Sequence, residues 1–500
     1  MEYSAGLGSV RSPGLTARDL LVVAGLFAAS RLLYAVLGLQ YDTSTFPGYM
    51  QFIDPELLAN RLLESLWYYH ANPPLLNFFA GVGIKLFAGG ADVFFATAFH
   101  MLGLLVALCV YSLTFHLSNA RAAAIAATGL LVFSPAFVLY ENWFMYTFPA
   151  AALLTFAAFA LLRYAQNGRT RYCATFFSLL ALLLLTRSLF HLAWMILVAT
   201  LLAVVSRGRC RQVLYAAALP VLLVSLWYGK NYYYFGTFSS SSWMGLGLSN
   251  ITTLVVSKAE LEPLVAQGKL SRFALISRYR QTDALFAAQE LPATRIAVLD
   301  QVKKTSGQYN FNNQCLVAVN RAYAADALAV ARHFPASYVI GLIISNRLFF
   351  SPTSMNLYFS ARNRAAALPM ERIFNPLMYG VAAQPGYVEQ PHFGFSGGYR
   401  LEVNTSFALI ALWILMLGYG YAQARKGVMA IAAPIDPRAI VWGFFVVTAI
   451  YLYAVGTALE LGENYRYRFL IEPLFIVMTA TALTDLVRKF RGRRHGLYEN

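Results

Sequence analysis

Long apolar stretches separated by short basic turns set the rhythm of this chain. Apolar windows run at about 19–40, 93–117, 122–140, 144–163, 172–187, 189–206, 212–229, 407–423, 440–458 and 469–487. Many approach the ~20 residues an α-helix needs to cross ~30 Å of hydrocarbon, and their recurrence rules out a single anchor or a signal peptide. The pattern predicts an all-α polytopic membrane protein of about 10–12 transmembrane helices. The first window follows Arg11, Arg18 and Asp19 without an evident small-residue cleavage site, so it reads as a retained span.

Two further apolar stretches read as juxtamembrane helices. Pro74 to Phe87 is short, begins at Pro73-Pro74 and carries Lys85; counting it as a span would put the following basic loops outside. Tyr338 to Phe350 contains Asn346 and Arg347 and is followed by Pro352. With a cytoplasmic N-terminus, alternation then places Arg121, Arg163 to Arg171, Arg207 to Arg211, Arg425-Lys426 and the basic C-terminus inside, in accord with the positive-inside rule. Two large external segments remain, about 41–92 and about 230–405. The organisation is an N-terminal membrane module (1–229) holding the first external loop, an external segment (230–405), and C-terminal spans with a basic tail (406–500). No internal repeat is apparent, which weakens an inverted-repeat transporter reading.

Composition agrees: 58% of the 500 residues are hydrophobic and 12% charged, which no ordinary water-soluble globule matches. The net charge of +16 sits largely in short clusters between spans, where it sets topology, so nucleic acid is not an expected partner. Cys109, Cys173, Cys210 and Cys315 are dispersed and suggest neither a disulfide framework nor a zinc site.

Against this background, charges at span edges stand out, because a charge near hydrocarbon is expensive and tends to mark function. In the first external loop, Asp54-Pro55-Glu56 opens an amphipathic helix, and His70-Ala71-Asn72-Pro73-Pro74 makes a turn into an apolar segment. Asp before Pro is a favoured helix start, so Asp54 reads as a cap, and equally as a carboxylate able to activate an acceptor. Glu141 falls just outside the third span, on the same face. Arg187 lies between two apolar runs with almost no loop to solvate it, which a phosphate partner or an internal ion pair would explain. Lys230-Asn231 ends the seventh span externally; it reads as a phosphate-binding point charge or as an interfacial anchor. In the last external loop, Glu463-Asn464-Tyr465-Arg466-Tyr467-Arg468 puts two arginines on the side where the positive-inside rule expects none.

Several of these segments resemble the GT-C superfamily of polyprenyl-phosphate-sugar-dependent glycosyltransferases, in particular the bacterial aminoarabinose transferases and protein mannosyltransferases. They are the first-loop acid, helix and Pro-Pro-Leu turn; Tyr140 to Pro149; Lys230-Asn231 through Phe235-Gly236-Thr237-Phe238-Ser239-Ser240; and Glu463 to Arg468. The resemblance implies a GT-C-like fold and an inverting transfer, from a polyprenyl-phosphate sugar to a lipid, glycan or protein acceptor, on the external face of a bacterial cytoplasmic membrane. By it, Asp54 matches the catalytic acid, with Asp42 as its competitor, joined by Glu141. His70, Asn72, Arg187, Lys230, Asn231, Glu463, Tyr465, Arg466 and Arg468 then line the substrate site. The family's frequent Asp-Glu followed by Arg-Tyr is here Asp54-Pro55-Glu56-Leu57-Leu58, which leaves Asp54 and Asp42 both open. No metal ligands are assigned; a divalent cation, Mg or Mn, held by Asp54 and Glu141 is the one cofactor considered.

No Walker A, GxGxxG, HExxH or Asp-x-Asp motif supports a cytosolic nucleotide donor. Two other readings compete: an O-antigen-type polymerase or ligase, and a flippase or transporter of lipid-linked sugar. The last needs polar residues through mid-membrane, whereas most charges here collect at one edge.

Overall fold

The computed structural model describes residues 16–87, 89–206, 208–276, 281–287, 291–383, 386–390, 399–429 and 436–496. Six of its helices are long and apolar enough to cross a membrane: Ala17–Val36, Ala91–Ser118, Thr147–Asn167, Cys210–Phe235, Phe407–Gly427 and Pro437–Ala458. The protein is therefore a multi-pass, predominantly helical membrane protein. Two bent pairs raise the number of spans to eight if each pair is one crossing. Arg121–Val132 turns by 58° into Pro135–Glu141, and Cys315–His333 turns by 107° into Pro335–Phe349. Each bend falls at a proline, which removes a backbone donor and clashes with the preceding turn.

The count is lower than the apolar windows suggest, for local reasons. The windows at 172–187 and 189–206 become Thr170–Leu184 and Leu192–Val205, of 15 and 14 residues. At 1.5 Å per residue these reach roughly 22 Å, short of ~30 Å of hydrocarbon. The interruption is Thr186-Arg187-Ser188, where the helix stops before Arg187. The final helix, Glu472–Gly496, starts on an acid and carries Asp485, Arg488 and Lys489.

Thr147–Asn167 is the most enclosed of the six, with 67% of its apolar window buried; it packs closely with Thr170–Leu184. Its length is one apolar face after another, and the main hydrophobic core is built around it. The first helix is fastened by a capping box of Thr16 and Asp19, and Asp19 also accepts the Tyr111 hydroxyl at 2.6 Å.

The stretch Pro74 to Phe87 forms the short helix Leu75–Leu86, as its composition suggests. Within 230–405, small helices pack over a separate apolar cluster that includes Leu246, Phe273, Phe311 and Leu316. Within the stretch that reads as a Gly/Pro-rich loop, Gly386–Gln390 pairs antiparallel with Tyr399–Val403.

Residues 301–314 tie the 230–405 segment to the loop of about 41–92. Gln301 and Thr305 bond Asp54, Lys304 bonds the Tyr49 carbonyl, and Ser306 bonds the Pro47 carbonyl. Asn312 Oδ1 accepts the backbone amides of His70 and Ala71. These bonds fix the loop of about 41–92 against residues 301–314.

Candidate functional site

Asp42 follows the first membrane helix and is held by its backbone. Its amide donates to the Asn142 carbonyl at 2.8 Å, and its own carbonyl accepts the Phe144 amide at 3.0 Å. This bridge between Asp42 and Trp143 places the acid beside the turn that follows Pro135–Glu141. Carboxylate oxygen Oδ1 accepts the Ser44 amide and hydroxyl at 2.9 and 2.6 Å. Among the described residues, Oδ2 is buried and has no hydrogen-bond partner.

The Trp143 ring is shared with Arg466, whose guanidinium sits 5.2 Å from its centroid and 5.3 Å from that of Tyr146. Arg466 is fully buried, and its Nη1 pairs with Glu463 at 2.6 Å. Its Nε and Nη2 are buried and, among the described residues, have no hydrogen-bond partner. Burying donors of a charged group without acceptors carries a desolvation penalty of ~1–3 kcal/mol or more, so the site is electrostatically incomplete. Arg187 approaches from the break between Thr170–Leu184 and Leu192–Val205. Its guanidinium lies 4.3 Å from the Tyr146 ring and 5.2 Å from the Tyr467 ring. Among the described residues no carboxylate lies within ion-pair distance of it, although Arg187 is buried. Tyr49 and Tyr358 close the cage: Tyr358 stacks on Trp143 at 6.3 Å and Tyr49 packs on both rings at 6.4 and 5.4 Å. Two cations thus face an aromatic box, and aromatic faces favour cations while leaving their outward donors open.

The other expected residues have neighbours of their own. Asp54 is 2% exposed and caps the helix Pro55–Asn60. Oδ1 accepts the Glu56 amide at 3.1 Å and the Thr305 hydroxyl at 2.7 Å; Oδ2 accepts Gln301 Nε2 and the Thr305 amide, both at 2.7 Å. Burial raises the carboxyl's pKa, but the bonds from Thr305, Gln301 and the Glu56 amide outweigh it and hold the group below the usual carboxylate range. Both oxygens are filled.

Glu141 is wholly buried and faces away from the aromatic box, 2.6 Å from Arg31 Nε and 3.4 Å from His100 Nδ1. Arg31, a charge inside the first span that the sequence leaves unassigned, thereby finds its counter-ion. Gly103 makes room for the pair, since a Cβ there would collide with Glu141 Oε1.

Lys230 donates to the carbonyls of Trp67 and Tyr69 at 2.8 and 3.1 Å and lies 3.9 Å from the Trp227 ring. Asn231 Nδ2 donates to the Ser239 carbonyl at 2.7 Å, closing the turn after its helix. His70 is buried between Ser242 Oγ (2.8 Å) and the Asn312 carbonyl (3.1 Å); Asn72 is buried in the same turn. Burial, opposed by the Asn312 backbone bond and aided by Lys230, pushes the His70 pKa down to about 3. Arg468 donates to the carbonyls of Phe349 and Ser351 at 2.9 and 2.8 Å, away from Arg466. The Tyr465 hydroxyl accepts the Leu357 amide at 3.4 Å.

The structure thus brings Asp42, Arg187, Glu463 and Arg466 together, and separates Asp54, Glu141 and Arg468 from them. Sequence reasoning passed over Tyr49 and Tyr358, which look like ordinary interfacial aromatics, and quoted Trp143 and Tyr146 only as part of a motif. Lys304 carried no signal at all, because a lysine in an external segment is unremarkable. It is nevertheless buried, donating to the Tyr49 carbonyl at 2.5 Å, and burial lowers its pKa to about 7 against the opposing effect of Asp54.

No protein-family model and no curated protein matches the chain. Among solved structures it is similar to the oligosaccharyltransferase of Archaeoglobus fulgidus in complex with Zn and sulfate, at 12% identity and a TM-score of 0.38, over 94% of this chain and 50% of that one. The same enzyme tethered with an acceptor peptide gives 12% identity, a TM-score of 0.41 and the same coverage. ArnT from Cupriavidus metallidurans bound to undecaprenyl phosphate gives 15% identity and a TM-score of 0.35, over 92% of this chain and 78% of that one. The chain spans about half the length of the oligosaccharyltransferase it matches.

The residues considered for a divalent cation do not fit one. Asp54 has both oxygens filled, Glu141 faces Arg31, and among the described residues no group of three or more His, Cys, Asp or Glu side chains converges.

Proposed function

We propose that the chain is a GT-C-type glycosyltransferase of the bacterial cytoplasmic membrane, with both termini cytoplasmic and its active site on the external face. The donor is a sugar on a polyprenyl phosphate, and the acceptor a lipid, glycan or protein. The observation that carries the reading is Arg466: a fully buried guanidinium with two donors unmatched, packed on the ring of Trp143, whose backbone bridges Asp42, an acid that also has a buried unmatched oxygen. An anionic leaving group and a protic nucleophile are the two partners such a pair lacks.

In the reaction, Asp42 Oδ2 takes the proton of the acceptor as its oxygen or nitrogen attacks the anomeric carbon. The bond from that carbon to the phosphate oxygen breaks with inversion, and the charge that develops on the phosphate is met by Arg466 and Arg187. Stabilising charge as it develops by groups already in place is commonly the largest catalytic contribution, and general base catalysis adds ~10²–10⁴-fold. Glu463 orients Arg466 through the 2.6 Å pair, and the rings of Trp143, Tyr146 and Tyr467 keep water from the guanidinium groups. Of the two first-loop acids, Asp42 is favoured because Asp54 has no free oxygen.

The test incubates the purified protein with a panel of polyprenyl-phosphate sugars and measures release of the polyprenyl phosphate. One donor loses its sugar with the wild type and retains it with Asp42→Asn. Full turnover by Asp42→Asn, or inertness toward every donor, refutes the proposal.

A further inference from the structure

A cavity lined by none of the aromatic-box residues lies at the Phe235 end of Cys210–Phe235. It has a volume of roughly 470 Å³, within the ~300–1,000 Å³ usual for small-molecule sites. Four separate stretches of chain converge on it. Tyr68 comes from the first external loop, Tyr234 and Phe235 from the end of the membrane helix, Thr294 from the external segment, and Gln314 and Arg321 from the start of Cys315–His333.

The wall chemistry is specific. Tyr68 and Tyr234 meet edge to face at 5.3 Å, which presents ring surface together with hydroxyl edges. Among the described residues, Arg321 is the one charged residue in the wall, and no carboxylate lines the cavity with it. Its Nη2 donates to the Phe235 carbonyl at 2.5 Å; among the described residues its Nε and Nη1 have no partner. Gly236 holds that arrangement in place. Its φ of +63° caps the helix in the left-handed region, and a Cβ at this position would strike Arg321 Nη2. The Phe235-Gly236 pair singled out in the sequence therefore shapes this wall, leaving the guanidinium fork aimed outward.

Aromatic faces suit the C–H faces of a pyranose ring, the tyrosine hydroxyls suit its hydroxyls, and an arginine fork suits a carboxylate or phosphate. We infer that this cavity binds a saccharide carrying an anionic group, a uronate or a sugar phosphate. It sits one peptide away from the carbonyls of Trp67 and Tyr69 that anchor Lys230, and so is joined to the membrane core. Its role as the acceptor subsite rests on the glycosyl-transfer reading; the binding itself does not.

Calorimetric titration of the full-length protein in detergent tests it, with digalacturonate, glucose 1-phosphate, maltose and inorganic phosphate as probes. Digalacturonate, glucose 1-phosphate or both bind at least tenfold more tightly than maltose and phosphate. Arg321→Gln lowers that affinity roughly tenfold or more, the worth of one hydrogen bond to a charged group. Tyr234→Ala weakens it as well; both side chains are exposed, so folding is not at stake. Which anionic probe binds separates carboxylate from phosphate recognition. Maltose binding as tightly as the charged probes, phosphate alone matching glucose 1-phosphate, no binding by any saccharide, or no effect of Arg321→Gln each overturns the inference. Asp42→Asn separates the two proposals: retained binding with lost transfer supports both, whereas retained transfer refutes the catalytic reading and leaves the cavity standing.

Discussion

Replacing Asp54 by asparagine is the sharpest way to separate a structural acid from a catalytic one. Each carboxylate oxygen accepts two hydrogen bonds, and three of the four donors belong to Gln301 and Thr305, about 250 residues further along the chain. An amide has one acceptor oxygen. If that oxygen takes the Oδ2 position it keeps Gln301 and the Thr305 amide, and the new NH₂ faces the Glu56 amide, so the helix cap is lost. The reverse orientation opposes two N–H donors. A lost cap costs about 1 kcal/mol. Converting two charge-assisted bonds to neutral ones adds roughly 1 kcal/mol each, from the difference between charged and neutral hydrogen bonds. The sum, about 3 kcal/mol, corresponds to a fall in Tm of about 3 °C for a chain this long. Differential scanning fluorimetry in detergent reads the shift, and transfer assayed well below the transition reads chemistry. Asp54→Asn is expected to melt early yet still turn over, while Asp42→Asn melts like the wild type and loses at least ~10²-fold in rate. An Asp54→Asn protein with wild-type Tm would refute the bridging account. A well-folded Asp54→Asn protein without activity, beside an active Asp42→Asn, would refute the choice of base.

Arg466→Lys keeps the charge near Glu463 but removes the planar fork, so initial-rate measurements are expected to show a fall of about 10²-fold in kcat; an unchanged kcat would show that no leaving group is held there. Breaking the buried pair by Arg31→Ala or Glu141→Ala is expected to destabilise by about 3–5 kcal/mol. The double substitution to methionine should recover most of that loss in a thermal melt, and equal losses in single and double variants would contradict a mutual pairing. The His70 pKa, held at about 3 by burial, lies below its ordinary 6.5. Between those values the unfolded chain binds more protons than the folded one, so this histidine's contribution to stability is complete above pH 6.5 and declines as pH falls toward 3. Stability measured from pH 4 to 7 should show a shallower slope for His70→Asn than for the wild type, and parallel slopes would exclude a neutral buried imidazole.

The apolar windows are legible because the bilayer imposes a length and a composition on every crossing. Ala91–Ser118 and Pro437–Ala458 can be read off directly, as can the short helix Leu75–Leu86 from its prolines and lysine. The interruption at Arg187 is visible too, but its effect is not, since hydropathy alone joins each flank into a plausible span. Asp54 shows both of its local signals, cap and exposed acid, and nothing nearby in the chain chooses between them. Glu141 is similar: its position at a span edge is evident, whereas the arginine it meets is in another helix.

By itself the sequence determined that this is a multi-pass helical membrane protein with charges gathered at span edges, because hydrophobicity and positive-inside bias are properties of short stretches and need no partners. Only the tertiary structure decided which of those charges are matched. Asp54 finds Thr305 at a separation of 251 residues, Glu141 finds Arg31 across the bundle, and Arg466 and Asp42, linked through Trp143, are each left with buried unmatched atoms. A charge becomes structural or chemically available through the atoms that surround it within a few ångströms, and those atoms come from distant parts of the chain.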